Sequence, residues 1–179
     1  MKILSVGAAG IRARAATWLL LAGLAALPPG TAVAQSIEWV RQFGTSRFDA
    51  ADDAAADAAH VYVVGRVGSG QSLDGPASAG GVDAWLRKYD AAGNVVWSRQ
   101  FGTAGFDGFA KLAVDGAANV AFVAGLTMGA FAGQSNPAGA PQLFVRRHTL
   151  DGGDEQWTVQ LGAVGGAVFP LAVAAAGNG

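Results

Sequence analysis

A seven-residue segment is written almost three times in this chain, and it restricts what the chain can fold into. It reads Trp39-Val40-Arg41-Gln42-Phe43-Gly44-Thr45, then Trp97-Ser98-Arg99-Gln100-Phe101-Gly102-Thr103, and in degraded form Trp157-Thr158-Val159-Gln160-Leu161-Gly162-Ala163. The tryptophans, at 39, 97 and 157, are 58 and 60 residues apart. Self-similarity at a fixed period of this size marks stacked supersecondary units, each of which buries its faces against its neighbours.

The second unit is complete and can be read strand by strand. Asn94 to Phe101 alternates, with Val95, Trp97, Arg99 and Phe101 on one side and Val96, Ser98 and Gln100 on the other, as a strand does. Phe109 to Val114 is a second strand, and Asp115-Gly116-Ala117-Ala118-Asn119 is a hairpin connection of favoured composition. Val120 to Ala124 is apolar on both faces, so both are covered. A long loop follows Gly125, and Gln142 to His148 is the fourth strand.

The first unit has the same order in Ile37 to Phe43, Asp49 to Ala59, Val61 to Gly65 and Asp83 to Tyr89. Asp49 to Ala59 is nearly all Ala and Asp, which favours helix by propensity. The strand character of its counterpart, Phe109 to Val114, overrules that. The third unit starts at Trp157, and the sequence stops where its third strand should begin.

Four strands per unit, joined by tight turns and one long loop, predict an all-β chain. The expected form is a partial β-propeller of about two and a half four-stranded antiparallel blades, with units beginning near 37, 95 and 156. Closed propellers have typically four to eight blades. The expectation is therefore a piece of a larger propeller, self-association through open blade edges, or a truncated reading frame without a function of its own.

Residues 1–34 have the layout of a secretory signal peptide. Lys2, Arg12 and Arg14 come first, Ala15 to Leu27 is apolar, and Ala32-Val33-Ala34 precedes Gln35. Thirteen apolar residues reach about 20 Å as a helix, short of a hydrocarbon core of roughly 30 Å. Residues 35–179 are then an exported chain, destined for periplasm, cell surface or medium, with no membrane span. Without residues 1–34 the charged groups are 9 basic (12 less 3) and 13 acidic, a formal charge of −4. Such a chain has no electrostatic footprint for nucleic acid. Cysteine is absent, so stability has to come from packing, metal or assembly.

Trp39, Trp97 and Trp157 sit at one position of the repeat and are expected to be structural pegs in equivalent pockets. Burying an indole is worth up to roughly 4 to 6 kcal/mol. Gly44, Gly102 and Gly162 are expected at turn positions with φ above zero. Asp49 and Asp107 are equivalent, as are Asp57 and Asp115 within one residue. A repeated Asp in a turn caps backbone N–H groups, and calcium is the sharper reading. The calcium candidates are Asp49, Asp52, Asp53 and Asp107, but no Asp-x-Asp-x-Asp-Gly loop is present, so no cofactor is assigned.

His148 is the counterpart of Tyr89 and reads as a packing or surface residue. His60 precedes a buried strand with no acidic partner at ligand spacing. No His-Glu-x-x-His, Gly-x-Ser-x-Gly or phosphate loop occurs, so no catalytic residue is nominated. Gly65 to Val82 and Gly125 to Pro141 are long, Gly-rich and fall at one end of each unit. They are the candidate contact loops for a protein or carbohydrate ligand.

The segments Trp97 to Gly102, Asp115 to Gly125 and Asp83 to Trp97 together resemble the bacterial β-propeller repeat family called SBBP. The resemblance covers nearly all of the chain from about Ile37 and implies an exported surface protein with no one reaction. Gln142 departs from the pattern where the first copy has Asp83, and the third copy has Ala174 in place of its turn Asp. Tyr89 to Trp97 is also similar to the tryptophan-docking repeat of quinoprotein propellers. That similarity implies pyrroloquinoline quinone, calcium and a catalytic Asp on the axis of a full ring, which two and a half blades are too few to build.

Overall fold

The computed structural model describes residues 38–74, 77–162 and 169–176. Contacts divide the chain into Met1–Ser36 and Ile37–Gly179, and the second unit holds all described residues. The expected signal peptide, residues 1–34, lies outside them. Among the described residues there is no helix, and none long and apolar enough to cross a membrane.

Among the described residues eight strands form, in chain order β1 (Ala50–Ala56), β2 (His60–Val67), β3 (Asp83–Asp90), β4 (Val95–Phe101), β5 (Asp107–Asp115), β6 (Val120–Thr127), β7 (Gln142–Thr149) and β8 (Glu155–Gly162). They make two four-stranded antiparallel sheets, β1-β2-β3-β4 and β5-β6-β7-β8, each a simple meander. The Ala- and Asp-rich run does become the strand β1. Its pairing with β2, whose own side chains alternate buried and half-buried, outweighs the helical preference of alanine.

The expected phase of the units needs correction. The tryptophan-bearing strand closes a sheet rather than opening one: Val95–Phe101 pairs with β3, and Glu155–Gly162 pairs with β7. Turn chemistry decides this. Gly93 adopts φ +76°, its N–H donates to Asp90 O (3.0 Å), and the Asp90 carboxylate takes the Asn94 N–H (2.8 Å), folding the chain directly back on β3. Residues 102–106 then carry the chain to the other sheet. Among the described residues the sheets thus span 50–101 and 107–162, so each four-strand unit begins at the strand after the tryptophan-bearing one. No strand lies in residues 38–49, so the one expected at Ile37 to Phe43 is absent over its described residues.

The sheets pack face to face through Tyr62, Val64, Ala84 and Leu86 on one side and Ala110, Leu112, Ala121, Val123 and Phe144 on the other. Alanines at 84, 110 and 121, all fully buried, leave room for the aromatic rings. Two carboxylates of β1 reach across the join. Asp52 takes the Ala110 N–H (3.2 Å) and Asp53 the Leu112 N–H (3.1 Å), pairing donors at the otherwise open edge of β5.

Candidate functional site

One interface occurs twice in this molecule, built each time from the repeated segment. On β4, Trp97 is 8% exposed, and its Nε1 donates to Leu150 O (3.0 Å) beside Lys88 Nζ, which donates to the same carbonyl (2.8 Å). The indole lies on Gly153, whose φ is +71° and where a Cβ would come 2.9 Å from the ring. Arg99 donates to Gly152 O. Phe101 meets Phe144 edge-on at 6.2 Å, and the Arg146 guanidinium lies 4.5 Å over it.

Residues 39–43 repeat these contacts on the first sheet. Trp39 Nε1 donates to Ala91 O (3.1 Å), its ring lies on Gly93, and Arg41 Nε donates to Gly93 O (2.7 Å). Phe43 meets Trp85 edge-on at 5.2 Å under Arg87, 4.2 Å from the ring. Trp39 and Trp97 therefore share one set of contacts, Trp39 being the less buried of the two. Trp157 departs from it: the side chain is 39% exposed, with Phe122 beside it at 6.0 Å on its own sheet.

Gly102 and Gly162 also depart from expectation, since neither has φ above zero. Gly102 is glycine for space, and the constraint at Gly162 is milder. A Cβ on Gly102 would sit 2.3 Å from Asp83 Oδ1, and one on Gly162 would sit 3.1 Å from Gln142 Nε2. Gly44, at φ +159°, is extended, and a Cβ there would sit 2.9 Å from Asp49 Oδ2.

At the opposite end from the tryptophan turns, the long loops are held by the glutamine of the same segment. Gln100 Oε1 accepts from Leu73 N (2.8 Å), and its Nε2 donates to Gln71 O (2.8 Å) and Asp83 Oδ2 (2.7 Å). Gln160 does the same work in the second sheet, with Phe131 N (3.2 Å), Gly129 O (2.7 Å) and Gln142 Oε1 (2.7 Å). Leu73 and Phe131 are thereby buried as anchors. The candidate contact loops are shorter than expected, because β2 extends to Val67 and β6 to Thr127. They share one end of the sheets, stitched by Asp107 N to Val82 O (2.7 Å) and Met128 N to Phe106 O (2.8 Å). The latch was not read from the sequence, although Gln42, Gln100 and Gln160 stand in every copy.

The carboxylates nominated for calcium are engaged as follows. Asp49 accepts from the Thr45 hydroxyl (3.0 Å) and Gly68 N (3.1 Å), and Asp52 pairs with Arg66. Asp53 bonds across to β5, as above. Asp107 accepts from Thr103 N (2.6 Å) and the Thr103 hydroxyl (2.9 Å). Burial pushes the Asp107 pKa up and neighbouring Asp83 adds to this, while the Thr127 and Thr103 hydroxyls and the Thr103 N–H oppose it. Among the described residues no three His, Asp or Glu side chains gather as a metal site.

The histidines separate. His148 is 2% exposed, with Nδ1 2.9 Å from Gly153 O and the Phe101 ring 5.3 Å away. It is a packing residue, and burial depresses its pKa to about 4. His60 does have an acidic neighbour, contrary to expectation, because the turn brings Asp57 Oδ1 within 3.3 Å of Nδ1. Asp57 is the cap of that turn. Burial opposes its ionisation, but the Ala59 N–H, the Tyr62 hydroxyl and the His60 N–H hold its pKa at about 2.

A feature the sequence reading missed lies at the bulge of β5, where Phe109 adopts φ +51° and is 42% exposed. Arg66 lies 4.5 Å over its ring, and Phe106 and Phe169 stand 5.2 and 5.7 Å from it. A cleft of about 260 Å³ opens beside it, lined by Asp52, Phe109, Ala110, Lys111, Phe169 and Pro170. In comparisons with known proteins, no family model matches this chain and no curated protein is similar to it.

Proposed function

We propose that the chain is a non-enzymatic, exported repeat protein of β-propeller type. In this reading its loop-bearing end is a binding face for a protein or carbohydrate, and the tryptophan-turn interfaces are the scaffold. The observation that carries it is the division of labour within one repeated segment. Trp and Arg of that segment fix a sheet to the next turn, while Gln fixes the loop at the other end. Loops held by side chains at a few points, over rigid sheets, can present varied surfaces without disturbing the packing.

Export is tested by fractionating cells that express the full chain and sequencing the N-terminus of the recovered protein. A start at Gln35 outside the cytoplasm is expected, and retention of residues 1–34 in the cytoplasm would overturn it. The binding face is tested by screening the purified protein on a glycan array and against a displayed-peptide library, beside a Gln100→Leu/Gln160→Leu variant. Capture that weakens when the loops are released supports the reading. Capture indifferent to the variant, or none at all, counts against it.

A further inference from the structure

The repeated segment occurs three times, but its docking occurs twice. The face of the first sheet that carries Trp97 is filled by the second sheet. The corresponding face of the second sheet carries Trp157, Val159 and Leu161, which are 39, 44 and 52% exposed. Register places Phe122 and Arg147 in one row with Trp157, and Leu143 in one row with Leu161, so these side chains share that face. The matching row of the first sheet is Tyr62, Lys88 and Trp97. There the lysine and the indole together bond Leu150 O. Arg147 stands in the lysine's place, so the open face keeps the docking chemistry of the filled one: an indole N–H, a cation and apolar neighbours.

The molecule also contains a receiver for that chemistry. The Ala91–Gly93 turn, Trp85, Arg87 and Tyr89 form it, and residues 39–43 occupy it. This occupant is in neither sheet. It is held by side chains alone and is itself poorly covered, with Val40 71% and Phe43 39% exposed. A β-strand backed by a whole sheet brings more apolar surface to the same receiver than an unpaired segment does.

We propose that the open face of the second sheet docks on the first sheet of a second copy of this chain, displacing residues 39–43 of that copy. Trp157 Nε1 and Arg147 then donate to Ala91 O, as Trp97 and Lys88 donate to Leu150 O within one chain. The contact is heterologous, so it propagates until it closes. Two to four copies would form rings of four to eight sheets. The inference stands apart from the proposed binding face, which is made by the loops at one end of the strands and not by the flat face of the sheet.

The test is sedimentation velocity on the purified protein over a range of concentrations, with four chains compared. The wild type is expected to associate into a closed species of two to four copies. Trp157→Ala and Val159→Glu, both changes at exposed positions, are expected to be folded monomers by circular dichroism. Trp39→Ala removes the indole that holds residues 39–43 on the receiver, leaving them easier to displace, and is expected to tighten association by about tenfold or more. A wild type that stays monomeric at the highest concentration attainable overturns the proposal. So does association unchanged in Val159→Glu, or weakened in Trp39→Ala. Because the array screen reads the loops and sedimentation reads the sheet face, either reading can fail without the other.

Discussion

His148 makes the sheet interface sensitive to acid, and the size of the effect follows from its surroundings. The ring is buried on β7 against Phe101, with Nδ1 against Gly153 O. Among the described residues its Nε2 has no partner, so a second proton would be placed on a buried atom with none of them to accept it. Burial is the main cause of the depressed pKa. The Gly153 carbonyl and Glu155 oppose it, while Arg146 and Arg99 add to it by repulsion. The folded pKa is about 4, against 6.5 for the free side chain. Between these values the unfolded chain binds a proton that the folded chain does not, so stability rises with pH. The contribution is complete above pH 6.5 and is lost as pH falls toward 4. At 1.36 kcal/mol per unit, 2.5 units amount to about 3 kcal/mol.

Urea unfolding followed by tryptophan fluorescence, at half-unit steps from pH 8 to pH 4, measures this directly. The wild type is expected to lose about 1.4 kcal/mol per unit at the steepest part of the window. His148→Tyr, which installs the residue found at the same place in the first sheet, is expected to lose far less over the same range. Parallel slopes for the two proteins would refute the reasoning, because the acid sensitivity would then come from other groups.

The remaining predictions rest on single contacts. Trp97→Ala is expected to cost about 3 to 5 kcal/mol in urea unfolding, and Trp157→Ala less than about 1 kcal/mol in the monomer. Equal costs would show that the two indoles are equally covered. Gly153→Ala and Gly133→Ala share nearly the same φ, +71° and +73°, but a Cβ meets the Trp97 ring in the first and open space in the second. The Gly133 variant is therefore expected to lose roughly 1 to 2 kcal/mol and the Gly153 variant more; a reversed order would exclude the ring contact as the cause. Gln100→Leu is expected to speed hydrogen exchange at the Leu73 amide while leaving that of β6 unchanged. Asp57→Asn is expected to remove the acid loss between pH 3.8 and 2, since that carboxylate stabilises the fold above 3.8 and ceases to as pH falls through its folded pKa of about 2.

Much of the strand content was legible in the sequence, for a physical reason: in a meander each strand is bounded by its own turn. Val95–Phe101 and Gln142–Thr149 fall within a residue of where alternation placed them. The repeat also rescued β1, whose alanines would otherwise read as helix. Gly102 and Gly162 were misread because a repeated turn glycine has two explanations, backbone freedom and side-chain room. Distinguishing them requires knowing that Asp83 faces Gly102 across β3 and β4. Asp57 beside His60 was missed because the pairing depends on a tight turn rather than on ligand spacing. Phe109 carries no local signal at all. Its positive φ comes from the bulge between Gly108 and Lys111, a property of how β5 pairs with β6.

The phase of the repeat was the larger error, and its cause is general. A period fixes how often a unit recurs and leaves open where the unit begins, so any of the four connections can be taken as the boundary. The connections themselves carry the answer. Asp90-Ala91-Ala92-Gly93 and Leu150-Asp151-Gly152-Gly153 have the composition of turns that return a strand upon its neighbour, and in both the last glycine is left-handed. Gly102 to Phe106 instead has its polar groups drawn inward to Asp107, which starts the next sheet. Counting from that connection puts the tryptophan at the far edge of its sheet, facing the neighbour's turn. An indole at an edge is a group for joining units, whereas one at the start of a unit would be a group for filling it. On the proposal that the second sheet docks on a second copy, that difference makes Trp157 the group that joins the copies.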